Sequence, residues 1–239
     1  MFFLRYIVKF QRLASVRFIS HLELMRCLHR ALRRSGIKVA YSEGYNPQIR
    51  MSFAFAMPVG LISYGEYFDI RLVDGQSNMS PRAFTEILNN NLPLGVRIAD
   101  CVEATDKTPH LSALTQFAEY EISYGAQYVS TVAKSVEPFF ARDEIITTVS
   151  TKKGLKEQDI KKAIISFDIK EQAEDHITLR LRTAMSEQLS VKASAVVNEF
   201  NRFCGFTEEN ISSTIRTDFY SVNEEGVEIY PMDFIRGSI

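Results

Sequence analysis

The chain has 239 residues, 46% of them hydrophobic and 24% charged, with a formal net charge of −1. This composition excludes a disordered or low-complexity polymer and leaves room for one large domain or two small ones, each with its own core. The charge is uneven: residues 1–60 hold ten Lys/Arg against Glu23 and Glu43, a local +8, while residues 61–110 stand at −3 and residues 111–239 at −6, so the N-terminal quarter is a basic patch on an otherwise acidic chain.

The opening FFLRYIVKF alternates apolar and polar side chains over much of its length and predicts a strand. Ser20 then precedes an apolar-periodic run with Glu23 three residues on, the pattern of a capping box, and Gly36 supplies a left-handed stop, so a helix is predicted from His21 to Ser35. IKVAY reads as a short strand, SEGYNP as a loop, and RMSFAFAM and GEYFDIRLV as two strands joined by PVGLISY. Ser80 followed by Pro81 starts a second helix with Phe84, Ile87 and Leu88 on one face, and GVRIADCVEA returns as a strand. The order is the ferredoxin-like β-α-β-β-α-β pattern, with one strand extra or split, over residues 1–105.

The polar segment TDKTPHLSALTQ predicts a linker over residues 106–116. Beyond it, residues 117–239 repeat a similar order: strand FAEYEISY, helix QYVSTVAKSVEPFF, strand EIITTVS, strand HITLRLRTA, helix VKASAVVNEFNRF closed by Gly205, and strand STIRTDFYSV, with a Lys-rich insertion over residues 152–170. The expected fold class is α/β (α+β), two ferredoxin-like halves with mainly antiparallel sheets.

Cys27, Cys101 and Cys204 are odd in number and far apart, which argues against a disulfide framework and a structural zinc and favours a reducing compartment. Arg5 and Lys9 break the opening apolar run, and no later run reaches the roughly 18 apolar residues of a membrane span. A cytoplasmic location is expected. Walker A, G-x-G-x-x-G, H-E-x-x-H and G-x-S-x-G patterns are all lacking, so neither a cofactor nor a metal is expected.

The first helix carries the most specific chemistry. At roughly 100° per residue, Arg26, Arg30, Arg33 and Arg34 fall within an arc of about 100°, while Leu24, Met25, Cys27, Leu28, Ala31 and Leu32 occupy the opposing arc. A solvated face normally mixes signs, but here only Glu23 is at hand to neutralise four guanidinium groups, and like charges at i,i+4 repel by a few tenths of a kcal/mol. The pattern points to an anionic partner, and arginine favours bidentate contact with phosphate or carboxylate. A helix of about 22 Å spans several backbone phosphates, more than a small metabolite needs. Arg17, Lys38 and Arg50 extend the patch.

Two neighbouring features read in two ways. In SEGYNP, Tyr45 is suited to stack on a base while Ser42 and Asn46 contact base edge or sugar, yet Gly44 and Asn46-Pro47 equally describe a plain turn. His21 lies on the packed side of the helix and His29 at its boundary beside Arg33. They read first as structural, and alternatively, with Tyr41, as the acid/base groups of a metal-independent RNA-processing enzyme.

The run RFISHLELMRCLHRALRRSGIKVAYSEGYNPQIRMSFAFAMPVGLISYGEYFDIRL resembles the signature region of the radical-SAM-linked bacterial proteins, a family of unknown function. The matching residues are Arg17, Phe18, Ser20, His21, Leu22, Met25 and Arg26, then Arg30 to Arg34, Tyr41 to Pro47, and Gly65 to Tyr67; Glu23 stands where that family usually has Asp, Tyr45 where it has Phe, and Gln48-Ile49 where His-Pro is common. The resemblance implies fusion to, or encoding beside, a B12-binding-type radical SAM protein. This chain has no C-x-x-x-C-x-x-C iron–sulfur motif, so an accessory role is implied. The expected partners are therefore RNA (tRNA or rRNA) and a radical SAM protein, with a pure adaptor that docks an acidic protein surface as the alternative.

Overall fold

The computed structural model describes residues 4–73, 79–151, 154–186, 189–207 and 211–237. The chain is a mixed α+β protein with mainly antiparallel pairing, and it divides into two compact units, Met1–Thr115 with Asp218–Ile239, and Gln116–Thr217.

In the first unit the order is β1 (Leu4–Arg12), α1 (His21–Ser35), β2 (Met51–Phe53), β3 (Ile62–Leu72), α2 (Pro81–Asn89), β4 (Val96–Ala104) and the short α3 (Leu111–Leu114). The strands lie β4-β1-β3 with β2 antiparallel on β3, the ferredoxin-like order. Alternation sends Tyr6, Val8 and Phe10 of β1 and Phe68 and Ile70 of β3 to one face, where Leu24, Leu28, Ala31 and Leu32 of α1 and Phe84 and Leu88 of α2 cover them. Tyr6 meets Phe84 edge-on at 5.2 Å. Each fully buried leucine contributes about 1.5–3 kcal/mol, and this fixes which face of α1 is left outward.

The second unit contains β5 (Phe117–Gly125), α4 (Val129–Phe140), β6 (Ile146–Thr151), β7 (Gly154–Asp159), β8 (Ile164–Gln172), β9 (His176–Ala184) and α5 (Ala193–Phe203). β10 (Ser212–Val222) gives its first half, to Thr217, to this unit and its second half to the first, where β11 (Glu228–Ile229) and α6 (Pro231–Gly237) follow. The strand order β10-β5-β9-β8 is again ferredoxin-like, and Phe139, Phe167 and Phe200 form its aromatic centre at ring separations of 4.9–5.6 Å.

Several elements differ from the sequence expectation. EIITTVS is not a strand of the main sheet: it pairs with β7 in a separate hairpin, and the sheet strand is IISFDIKEQ, most of which lies inside the expected 152–170 insertion. β8 is an edge strand with two register irregularities; only Ile164 and Phe167 are buried, so its alternation is too short to read. IKVAY makes isolated bridges, Val39 to Leu72 and Tyr41 to Ile49, because the turn at Gly44 follows at once. The segment placed in a linker over 106–116 is tied to the first unit: Leu111 and Leu114 are buried, and Arg5 donates to the carbonyls of Thr105, Thr108 and Pro109. The last residues, from Asp218, cluster with the first unit and not with the half that precedes them. Among the described residues no helix is long and apolar enough to cross a membrane.

Candidate functional site

α1 is set by its own ends. The Ser20 hydroxyl accepts from the Glu23 backbone N–H at 3.2 Å, the Ser20 N–H donates to the Glu23 carboxylate at 3.0 Å, and Gly36 closes the helix at φ 72°. The capping role engages the one acid of the helix. The backbone N–H and hydroxyl of Ser20, with a smaller contribution from Arg26, hold the Glu23 carboxyl below its usual range.

Along the outward face, Arg26, Arg30, Arg33 and Arg34 are exposed, as is Lys38 just beyond the helix. Arg34 donates to the Asn91 carbonyl at 2.5 Å. No salt bridge joins Arg26, Arg30 or Arg33 to a described carboxylate, whereas several arginines elsewhere are matched: Arg5 to Asp69 at 2.7 Å, Arg180 to Asp168 at 2.8 Å, Arg182 to Glu119 at 2.7 Å and Arg236 to Asp100 at 2.6 Å. One face of α1 thus presents exposed guanidinium groups with no salt bridge to a described carboxylate, and an incoming anion would meet several of them at once.

Past α1 the backbone gathers further cations. Ala40 donates to the Arg71 carbonyl at 2.8 Å, Arg71 to the Arg50 carbonyl at 3.1 Å, and Val73 to the Lys38 carbonyl at 3.0 Å, so Lys38, Arg50 and Arg71 sit on adjoining backbone. Arg71 joins the cations predicted from sequence. Its alternation within β3 was legible, but nothing local says that residues 38–40 and 50 flank it. These segments form the root of loop 41–49, which is closed by the Tyr41 to Ile49 bridge and by Ser42 N–H to the Gln48 carbonyl at 2.8 Å and Gln48 N–H to the Ser42 hydroxyl at 3.0 Å. Asn46 is exposed and Tyr45 fully so, with no packing partner for its ring among the described residues, while Tyr41 is 44% exposed and Ser42 half-buried. Arg17, half-buried, lies over the Phe18 ring at 4.7 Å.

The histidines are placed differently. His21 is half-buried, accepts at Nδ1 from the Met57 N–H at 3.4 Å and meets Phe53 edge-on at 4.9 Å; burial lowers its pKa. His29 is half-buried too, and its pKa is lowered by burial and then by Arg33. Eight residues of helix separate them by about 12 Å, too far to share one proton transfer. Cys27 is a free thiol whose pKa burial raises. Among the described residues no group of three or more His, Cys, Asp or Glu is placed to hold a metal ion.

A family model described as an uncharacterized protein conserved in bacteria matches residues 5–195, a span that contains α1, loop 41–49 and most of both units. No curated protein matches the chain.

Proposed function

Because the chain belongs to this family of uncharacterized proteins conserved in bacteria, DUF2344, we propose its function from the site: it binds RNA across the arginine face of α1 and loop 41–49, and acts as an accessory to a radical SAM enzyme that modifies the RNA. The carrying observation is that Arg26, Arg30 and Arg33, exposed on one helical face, form no salt bridge to a described carboxylate, whereas Arg5, Arg180, Arg182 and Arg236 each do. Phosphates along a strand match several guanidinium groups spread over a helix, and the fully exposed Tyr45 offers a face for an unpaired base. The radical SAM partnership rests on the resemblance of residues 17–72, and a cytoplasmic location accords with it.

The test is fluorescence anisotropy with labelled tRNA and rRNA fragments across a salt series, beside the double variant Arg30→Glu, Arg33→Glu. Expected is binding whose logarithm falls linearly with log salt, by about 0.7 per phosphate contact for a single strand, and its loss in the variant. Absence of binding at low salt, or a variant that binds as wild type does, overturns the reading.

A further inference from the structure

Beside the N-terminal end of α1, three large apolar side chains stand in solvent: Phe18 at 70% exposure, Leu22 at 48% and Val59 at 59%. They belong to two segments that are fastened together. Gly60 donates to the Arg17 carbonyl at 2.7 Å, and Met57 donates to His21. The fully buried Arg12 guanidinium donates to the carbonyls of Ile19 at 3.3 Å, Pro58 at 2.5 Å and Leu61 at 2.5 Å. Three carbonyls from two chain segments thus converge on one buried cation, which holds the exposed side chains on a fixed base and reduces the ordering entropy of any docking event.

Cations border the same surface. The Arg17 guanidinium lies over the Phe18 ring, and Arg26 follows Leu22 by one helical turn on the same face. We propose that this surface docks a short acidic-and-apolar segment of a partner protein, its apolar side chains against Phe18, Leu22 and Val59 and its carboxylates against Arg17 and Arg26. Two of the three apolar residues are aliphatic, which fits a protein side chain; a base needs a flat ring on which to stack. Phe18 and the bordering arginines are residue types enriched at protein interfaces. A second copy of this chain is disfavoured, since a two-fold contact here would bring the arginine face of α1 against its own image. The patch is small, so the expected affinity is about micromolar, at the weak end of specific interfaces.

The probe is a phage-displayed library of random peptides panned on the full chain, followed by anisotropy with the synthetic consensus peptide. Expected is a consensus of apolar residues bracketed by Asp or Glu, with affinity reduced about tenfold by Phe18→Ser with Leu22→Ser and also reduced by Arg17→Glu, at an unchanged thermal midpoint. If the double variant loses its thermal transition, Val59→Ser carries the comparison. Several results would overturn the proposal: no enrichment, a neutral or basic consensus, or binding indifferent to these substitutions. Loss of RNA affinity in the Phe18, Leu22 variant without any enriched peptide would assign the patch to RNA, and a dimer dissolved by the same changes would assign it to self-association. RNA affinity in the Arg30, Arg33 variant is read separately, so failure of the RNA reading leaves the peptide result standing.

Discussion

Arginine does three different things in the first unit, and each follows from burial. Arg12, fully buried, has carbonyl partners, so its substitution would orphan several acceptors at once. Arg5 divides its donors between Asp69 and three carbonyls of the 105–109 segment. The arginines of α1 are outward and mostly unmatched. Only this last use was legible in sequence, because a one-signed helical face is a local pattern, whereas Arg5 and Arg12 read merely as charges interrupting an apolar strand. The two helical histidines give a pH prediction. Both have folded-state pKa values below the ordinary 6.5, so the unfolded chain binds more protons between the two values and stability rises with pH there. Their contribution is complete above the unfolded value and is lost as pH falls through the lowered folded values; the raised pKa of the partly exposed His176 acts oppositely but is screened by solvent. Urea unfolding should accordingly show lower stability at pH 5 than at pH 7.5, with a flatter dependence in the His21→Gln, His29→Gln variant; an unaltered dependence would reject this assignment.

The elements that could be read from sequence are those with complete local signals: α1 with its cap, apolar stripe and glycine stop, and α2 with its Ser-Pro start. β8 could not, because an edge strand with a polar second half carries little alternation, while the more regular EIITTVS beside it forms a hairpin. The approach to α1 depends on one further residue with no helical signal of its own. Gly95 sits at φ 98°, its carbonyl accepts from Leu13, and a Cβ there would lie 2.4 Å from the Ser15 hydroxyl and 2.9 Å from Val16. Gly95→Ala therefore combines backbone strain with collision against the turn that leads into α1, and should lower stability by about 1–3 kcal/mol in urea unfolding. Gly44→Ala, at φ 116° but in open space, should cost less. Equal effects would mean that the Ser15 turn yields freely.

Over the whole chain, order in sequence is a poor guide to the units, since the arginine-bearing unit takes its last pieces from beyond the second one. Asp218 accepts from Tyr67 at 2.6 Å and from Lys9 at 2.5 Å, Phe55 stacks on Phe219 at 5.4 Å, and Arg236 grips Asp100. No local periodicity announces such a return, so in sequence residues 117–239 read as one half. A fragment of residues 1–116 leaves the buried Tyr67 phenol without its acceptor and exposes the β3 edge. It should lack the cooperative thermal transition of the full chain and bind a hydrophobic dye; a sharp transition in the fragment would show that residues 218–239 are dispensable.

The division of β10 between the units also sets an order of events at the ribosome. Residues 116–217 leave it as one contiguous stretch and have all their strands before Asp218 is made, whereas the arginine-bearing unit waits for partners encoded about a hundred residues downstream, a delay of roughly 5–20 s at ordinary elongation rates. The second unit is thus the first able to finish folding, and the newborn β3 lacks its β10 neighbour while the basic helix beside it is already made.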